Sequence, residues 1–179
     1  AVVLAGVFLW QQWDAPSKLK PGEAVASLTR SVAARLELFG ASSDFNNGSE
    51  VRTGSYQLDE GLVQITFESG VEVVIEAPAS FAIHGPGFMI LNEGRLAAKV
   101  TPQGVGFTVE TPDAEVVDYG TEFAIEVVGE LSSEVHVFKG EVEVQPRQQD
   151  TSIDPVRIVT NQATRIDHST LIPLGISVD

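Results

Sequence analysis

The chain has 179 residues, 43% of them hydrophobic and 20% charged, enough for one principal domain with a small appendage. A formal net charge of -14 and a pI near 4.5 weigh against phosphate backbones and anionic lipid surfaces, because both need clustered Lys and Arg, and nucleic acid is set aside as a partner. Without cysteine there is no disulfide and no thiolate chemistry, which permits an envelope location without proving it.

Residues 1–10 contain no polar side chain, and Trp10 and Trp13 bracket the passage to Gln11, Gln12 and Asp14. A membrane span needs about 20 apolar residues, so the stretch reads as the outer half of a truncated transmembrane helix with tryptophans at the interface. A signal-peptide remnant and a buried strand are the alternatives. Pro16 and Pro21 break any continuing helix. The organisation expected is therefore a truncated membrane helix over 1–13, a juxtamembrane linker over 14–22, a β domain over 23–147, and a C-terminal β extension, or lead into a further domain, over 148–179.

Within 23–39, Val25, Leu28, Val32, Leu36 and Phe39 fall at helical spacing, although 24–28 and 33–38 also read as two short strands; on pattern alone the helix is favoured. Residues 41–48, rich in Ser, Asn and Asp, form a loop. From there the signal is β. Val63, Ile65 and Phe67 alternate with Gln64, Thr66 and Glu68; Ser69-Gly70 turns the chain; Val71, Val73 and Ile75 alternate with Glu72 and Glu76 until Pro78 ends the run. Further alternating runs follow to residue 144, and 156–158, 163–166 and 171–178 add terminal strands. About ten or more short strands with Gly or Pro punctuation predict an all-β fold: an irregular β-sandwich, a jelly-roll-like fold or a short β-solenoid.

One phrase occurs three times: Glu60-Gly61-Leu62-Val63-Gln64-Ile65, Glu93-Gly94-Arg95-Leu96-Ala97-Ala98 and Lys139-Gly140-Glu141-Val142-Glu143-Val144. A charged residue and a glycine ahead of an alternating apolar run predict a tight turn feeding a half-buried strand. Between residues 101 and 150 there are eleven acids against Lys139 and Arg147, and most of the acids alternate with apolar residues, which predicts a solvated sheet face.

Nothing in the sequence points to catalysis. The three histidines, His84, His136 and His168, are far apart and outside any close ligand pattern, and there is no nucleophile elbow and no phosphate-cradling glycine loop. Glycoside hydrolysis needs only two carboxylates but also sugar platforms, and both tryptophans lie in the leader, leaving Tyr56 and Tyr119. The chain is read as a non-enzyme with no catalytic residue, cofactor or metal site. The densest motif runs from Thr111-Pro112-Asp113 to Asp118-Tyr119-Gly120-Thr121-Glu122-Phe123. Pro112 fixes a bend, Asp118 accepts turn amides, Gly120 takes a positive φ, and Thr121 re-enters a strand that buries Phe123. The functional alternative is a ligand loop around Asp118 and Thr121.

At these residues the chain resembles the extracytoplasmic domain of the FecR family of sigma-factor regulators. The likeness is carried by residues 61–81 with Gly61, Gly70 and Pro78, by 91–96 with Glu93-Gly94, by Phe107-Thr108-Val109-Glu110-Thr111-Pro112, by Asp118 to Phe123, and by Glu134 to Val142 with Lys139-Gly140. Together these cover about half the chain in order. The resemblance implies strands over 23–39 and a single-pass inner-membrane protein with its β domain in the periplasm. It implies a cytoplasmic segment, absent from this sequence, that binds a sigma factor. It also implies an envelope protein partner, which in the siderophore branch is the signalling domain of an outer-membrane transporter, with iron transport as the setting. The family supplies no catalytic residues, so Gly61, Gly70, Pro78, Gly94, Thr111, Pro112, Asp118, Gly120, Thr121, Phe123 and Gly140 are read as structural. The competing reading of the whole chain is a carbohydrate-binding envelope module of a lectin-associated protein.

Overall fold

The structure, a computed structural model, describes residues 22–39, 45–128, 132–147, 154–167 and 170–174. The membrane helix expected over 1–13 and all of the linker over 14–22 except Gly22 lie outside the described residues. Among the described residues no helix is long and apolar enough to cross a membrane.

The chain order is β1 (Ala24–Leu38), β2 (Glu50–Arg52), β3 (Gly54–Phe67), β4 (Glu72–Gly85), β5 (Phe88–Lys99), a 3-10 turn at Pro102–Gly104, β6 (Thr108–Glu110), β7 (Ala114–Asp118), β8 (Glu122–Val127), β9 (Ser132–Lys139), β10 (Glu141–Pro146), β11 (Val156–Val159), β12 (Gln162–Asp167) and β13 (Thr170–Leu174). All belong to one hydrogen-bonded sheet, antiparallel everywhere except between β5 and β6. The all-β expectation holds.

The sheet folds over on itself. The first half of β1, the second half of β3, the first half of β4 and the second half of β5 pair in series, and β8, β9, β12 and β13 continue that layer. The complementary halves of β1, β3, β4 and β5 continue through β6, β7, β10 and β11 into the second layer. The layers face one another across a single core. The row Leu28, Ile65, Val73, Ala98, Phe123 and Val137 lines one layer. The row Ile83, Met89, Val109, Val116 and Val144 lines the other. Phe67 meets Phe107 edge-on across the gap at 5.2 Å, and Tyr56 stacks on Phe81 at 5.3 Å. Burial of this kind contributes about 1.5–3 kcal/mol per large apolar side chain, which is the term that holds the layers together.

Two expectations are corrected. Residues 24–38 form a strand, as the resemblance implies, though one rather than two, and not the helix that pattern alone favours, because bulges between Leu28 and Arg30 and between Val32 and Leu36 reset the two-residue alternation and imitate a 3.6 period. Val32, which a helix would have buried, is exposed. Gly61 and Gly94 are not turns before strands, and Pro78 does not end one: each lies inside a strand of 12 to 14 residues that bends and keeps pairing on both sides. Gly140 does make a bend, between β9 and β10.

The bends gather at two ends. At one end Ala33 (φ 47), Gly61, Pro78 (after a cis peptide bond) and Gly94 turn β1, β3, β4 and β5 from one layer to the other. A Cβ on Gly61 would run into the carbonyl oxygens of Val32 and Ala33, and one on Gly94 would stand 2.5 Å from the Pro78 oxygen, so neighbouring strands cross backbone to backbone. At the opposite end β7 passes into β8 at Gly120, β9 into β10 at Gly140, and β11 into β12 at Asn161 (φ 62). There a Cβ on Gly140 would stand 2.7 Å from the Gly120 oxygen.

Candidate functional site

The motif spanning residues 111–123 is pulled apart by β7, which carries its two halves to opposite ends of the sandwich. At the first end the Thr111 hydroxyl donates to Asp113 Oδ1 (2.8 Å) and accepts the Ala114 amide (3.0 Å), closing the turn that Pro112 begins. Ser133, from the facing layer, donates its hydroxyl to the same Oδ1 (2.5 Å). Asp113 is 2% exposed, its backbone oxygen accepts the Arg147 amide (2.7 Å), and its Oδ2 is buried without a partner. The cluster pins layer to layer, since a buried carboxylate must be hydrogen-bonded to be tolerated.

At the other end Asp118 pairs with Val142 in the inward row and is fully buried. Its Oδ2 accepts the Gly120 amide (2.6 Å), while Oδ1 has no partner. Its backbone bonds the segment before β6 in both directions, donating to the Phe107 oxygen (3.0 Å) and accepting from the Gly106 amide (2.9 Å). Burial pushes the Asp118 carboxyl above the ordinary aspartate range, and hydrogen bonds from Thr121 and Gly120 oppose the rise. The Thr121 hydroxyl donates to the Glu141 oxygen (2.6 Å), which also takes the Tyr119 amide (3.2 Å), and the Thr121 oxygen accepts the Val100 amide (2.9 Å). Phe123 is buried between Ala98 and Val137.

The eleven residues singled out in the sequence therefore occupy two ends rather than one site. Gly61, Pro78, Gly94, Thr111 and Pro112 lie at the first; Gly70, Asp118, Gly120, Thr121, Phe123 and Gly140 at the second. Gly70 reaches its end through Thr101, whose hydroxyl donates to the Ser69 oxygen (2.7 Å). Among the described residues no three His, Asp or Glu side chains are grouped to hold a metal ion. Sequence reasoning missed Ser133. Its signal was present: it takes the inward phase of β9 with Val135 and Val137, where a hydroxyl needs a buried partner.

Acids line the outer faces of both layers, Glu110, Glu115, Glu141 and Glu143 on the second and a longer row on the first. Glu76, Arg95, Glu126, Glu134 and Arg165 stand side by side across five strands. Arg95 bridges Glu76 (3.6 Å) and Glu126 (3.2 Å), and Arg165 Nε donates to Glu134 (2.9 Å). The Arg165 guanidinium, with His136 adding to it, holds the Glu134 carboxyl below its usual range. Beside the second corner Tyr119 is 41% exposed, with Arg157 over its ring at 5.4 Å.

Fold and geometry define an all-β, two-layer domain whose polar motif ties strands together. The family described as FecR protein matches residues 49–143, and the chain belongs to the FecR family. Among solved structures, the crystal structure of a candidate anti-sigma factor from Parabacteroides distasonis is 20% identical with a TM-score of 0.51, covering 67% of this chain and 57% of its own. A second from the same organism is 22% identical with a TM-score of 0.47, covering 62% and 53%. The chain thus spans little more than half the length of these structures. No curated protein matches the sequence.

Proposed function

We propose that this chain is the sensory or scaffolding domain of an anti-sigma-type, single-pass membrane regulator, lying on the periplasmic side of the inner membrane and acting by protein contact rather than catalysis. The observation that carries this reading is the FecR match, which falls on the folded sandwich itself. The apolar residues 1–10 support a membrane anchor ahead of the domain. An unpaired strand edge supports contact by strand addition. Among the described residues, β2 covers β1 only from Ala24 to Ser27, and the same side of β1 beyond residue 28 is met by no other strand.

The test is a sigma-dependent reporter in cells carrying the full-length gene with or without residues 22–174. Loss of the domain should change reporter output, and an alkaline phosphatase fused after residue 174 should be active outside the cytoplasm. An unchanged reporter together with specific binding on a glycan array would replace this reading with the carbohydrate-binding one.

A further inference from the structure

Asp118 closes its turn through the Gly120 amide with one oxygen, but it leaves the second oxygen buried and unpartnered, which closing the turn does not require. A chain needing only a bend there could use an apolar residue in the inward row beside Val142, as β7 does at Ala114 and Val116. Asp118 instead places a carboxyl group in that row, fully buried, with one oxygen on the Gly120 amide and the other unpartnered. An ionised carboxylate so placed is costly, and a neutral one much less so.

The charged and titratable groups on the elements packed at this corner offer no compensation. Glu141 and Glu143 on β10 point outward and pair with Arg157 on β11. Glu122 on β8, opposite Lys99 and Lys139, lies on the outer face, and Tyr119 lies exposed under Arg157. Residues 105–107 contribute only Val105, Gly106 and Phe107. The donor that the Asp118 carboxyl meets is thus a neutral one from its own turn, the Gly120 amide.

We propose that the Asp118 corner is a proton-responsive joint between the two layers. With the carboxyl protonated the corner packs shut. When the proton leaves to solvent, the buried charge draws water and the Asp118–Thr121 turn loosens, shifting the exposed Tyr119 and the adjacent Val105, whose Cγ2 lies 3.7 Å from where a Gly120 Cβ would stand. Resting on the periplasmic, protein-contact reading proposed above, the domain would then report external pH at a surface a partner protein reads. The raised carboxyl range is consistent with the joint switching above the pH at which exposed acids titrate.

The experiment follows carboxyl carbon and backbone amide resonances of the chain across a pH series by NMR, with hydrogen exchange at Gly120 and Thr121. The Asp118 carboxyl should titrate at higher pH than the exposed carboxylates. The Tyr119, Gly120 and Thr121 amides should shift with the same midpoint, and exchange should accelerate above it beyond the intrinsic base-catalysed rise. Asp118→Asn should abolish the midpoint while leaving the rest of the spectrum in place. The proposal is overturned if Asp118 titrates together with the exposed acids, if the neighbouring amides do not follow it, or if the Asn variant keeps the same pH profile. Should that variant fold poorly, the wild-type titration alone decides.

Discussion

At one end of the sandwich strands cross by bringing bare backbone against backbone at Gly61 and Gly94; at the other, Gly140 does the same against Gly120, but Asp118 and Thr121 are built into the crossing. The first end has its polar group one turn away, in the Thr111, Asp113 and Ser133 cluster that joins the layers. A corner made only of close backbone contact has one way to fail, which is steric. A corner that also encloses a carboxyl group has a second, which is ionisation. Both ends thus enclose a buried aspartate: Asp113 sits beside the first crossing, tied to Thr111 and Ser133, whereas Asp118 lies within the second, tied to Gly120.

The largest effect expected comes from filling the tight crossings. Gly94→Ala adds left-handed strain of about 1–2 kcal/mol to a forced backbone shift of about 1–3 kcal/mol, so denaturant unfolding should show a loss of roughly 3 kcal/mol. Gly140→Ala should behave alike, because its Cβ also meets a backbone oxygen. Gly120→Ala meets nothing closer than 3.7 Å and should cost only the strain, about 1–2 kcal/mol. Equal losses at Gly94 and Gly120 would show that the crossings are not what separates them.

Next come the buried hydroxyls. Ser133→Ala removes the inter-layer donor to Asp113, and Thr121→Val the donor to Glu141; each should lower stability by about 1–3 kcal/mol in the same measurement. A neutral result for Ser133→Ala would mean that the layers are held by apolar packing alone.

The smallest effect belongs to the outer face. Glu134 is held low by Arg165, so the stability it contributes is present above the ordinary glutamate value of about 4.3 and fades as pH falls through its lowered value. Asp118 acts in the opposite sense: its contribution is present below about 3.9 and is lost as pH rises through its raised value. Glu134→Gln should therefore remove a small acid-side slope, within about 1 kcal/mol for a pair whose arginine is partly exposed to water. Melting curves of both variants across pH should flatten opposite limbs; two variants that flatten the same limb would contradict the assigned directions.

The strand character of 62–67, 72–76 and 122–127 was readable in the sequence because alternation at period two is a local property, and the outward placement of Glu122, Glu126 and Glu134 followed from it. The helical reading of 23–39 failed because three register shifts in β1 are set by what β3 offers it, not by β1 itself. The motif from Thr111 to Phe123 was visible as turn chemistry, yet its division between two ends was not, since that depends on where β7 lies between β6 and β10.

By itself the sequence determined the chemistry of each position: alternation that makes strands, glycines able to take a positive φ, acids placed to face water, and an aspartate and a serine in phase with apolar neighbours. Only the tertiary structure decided that those glycines are mid-strand crossings and that Ser133 meets Asp113. It also decided that Asp118 is buried with one oxygen unpartnered. The reason is that hydrogen-bonded pairing between residues tens of positions apart, rather than any local preference, determines which backbone passes close to which, and how much water each side chain keeps.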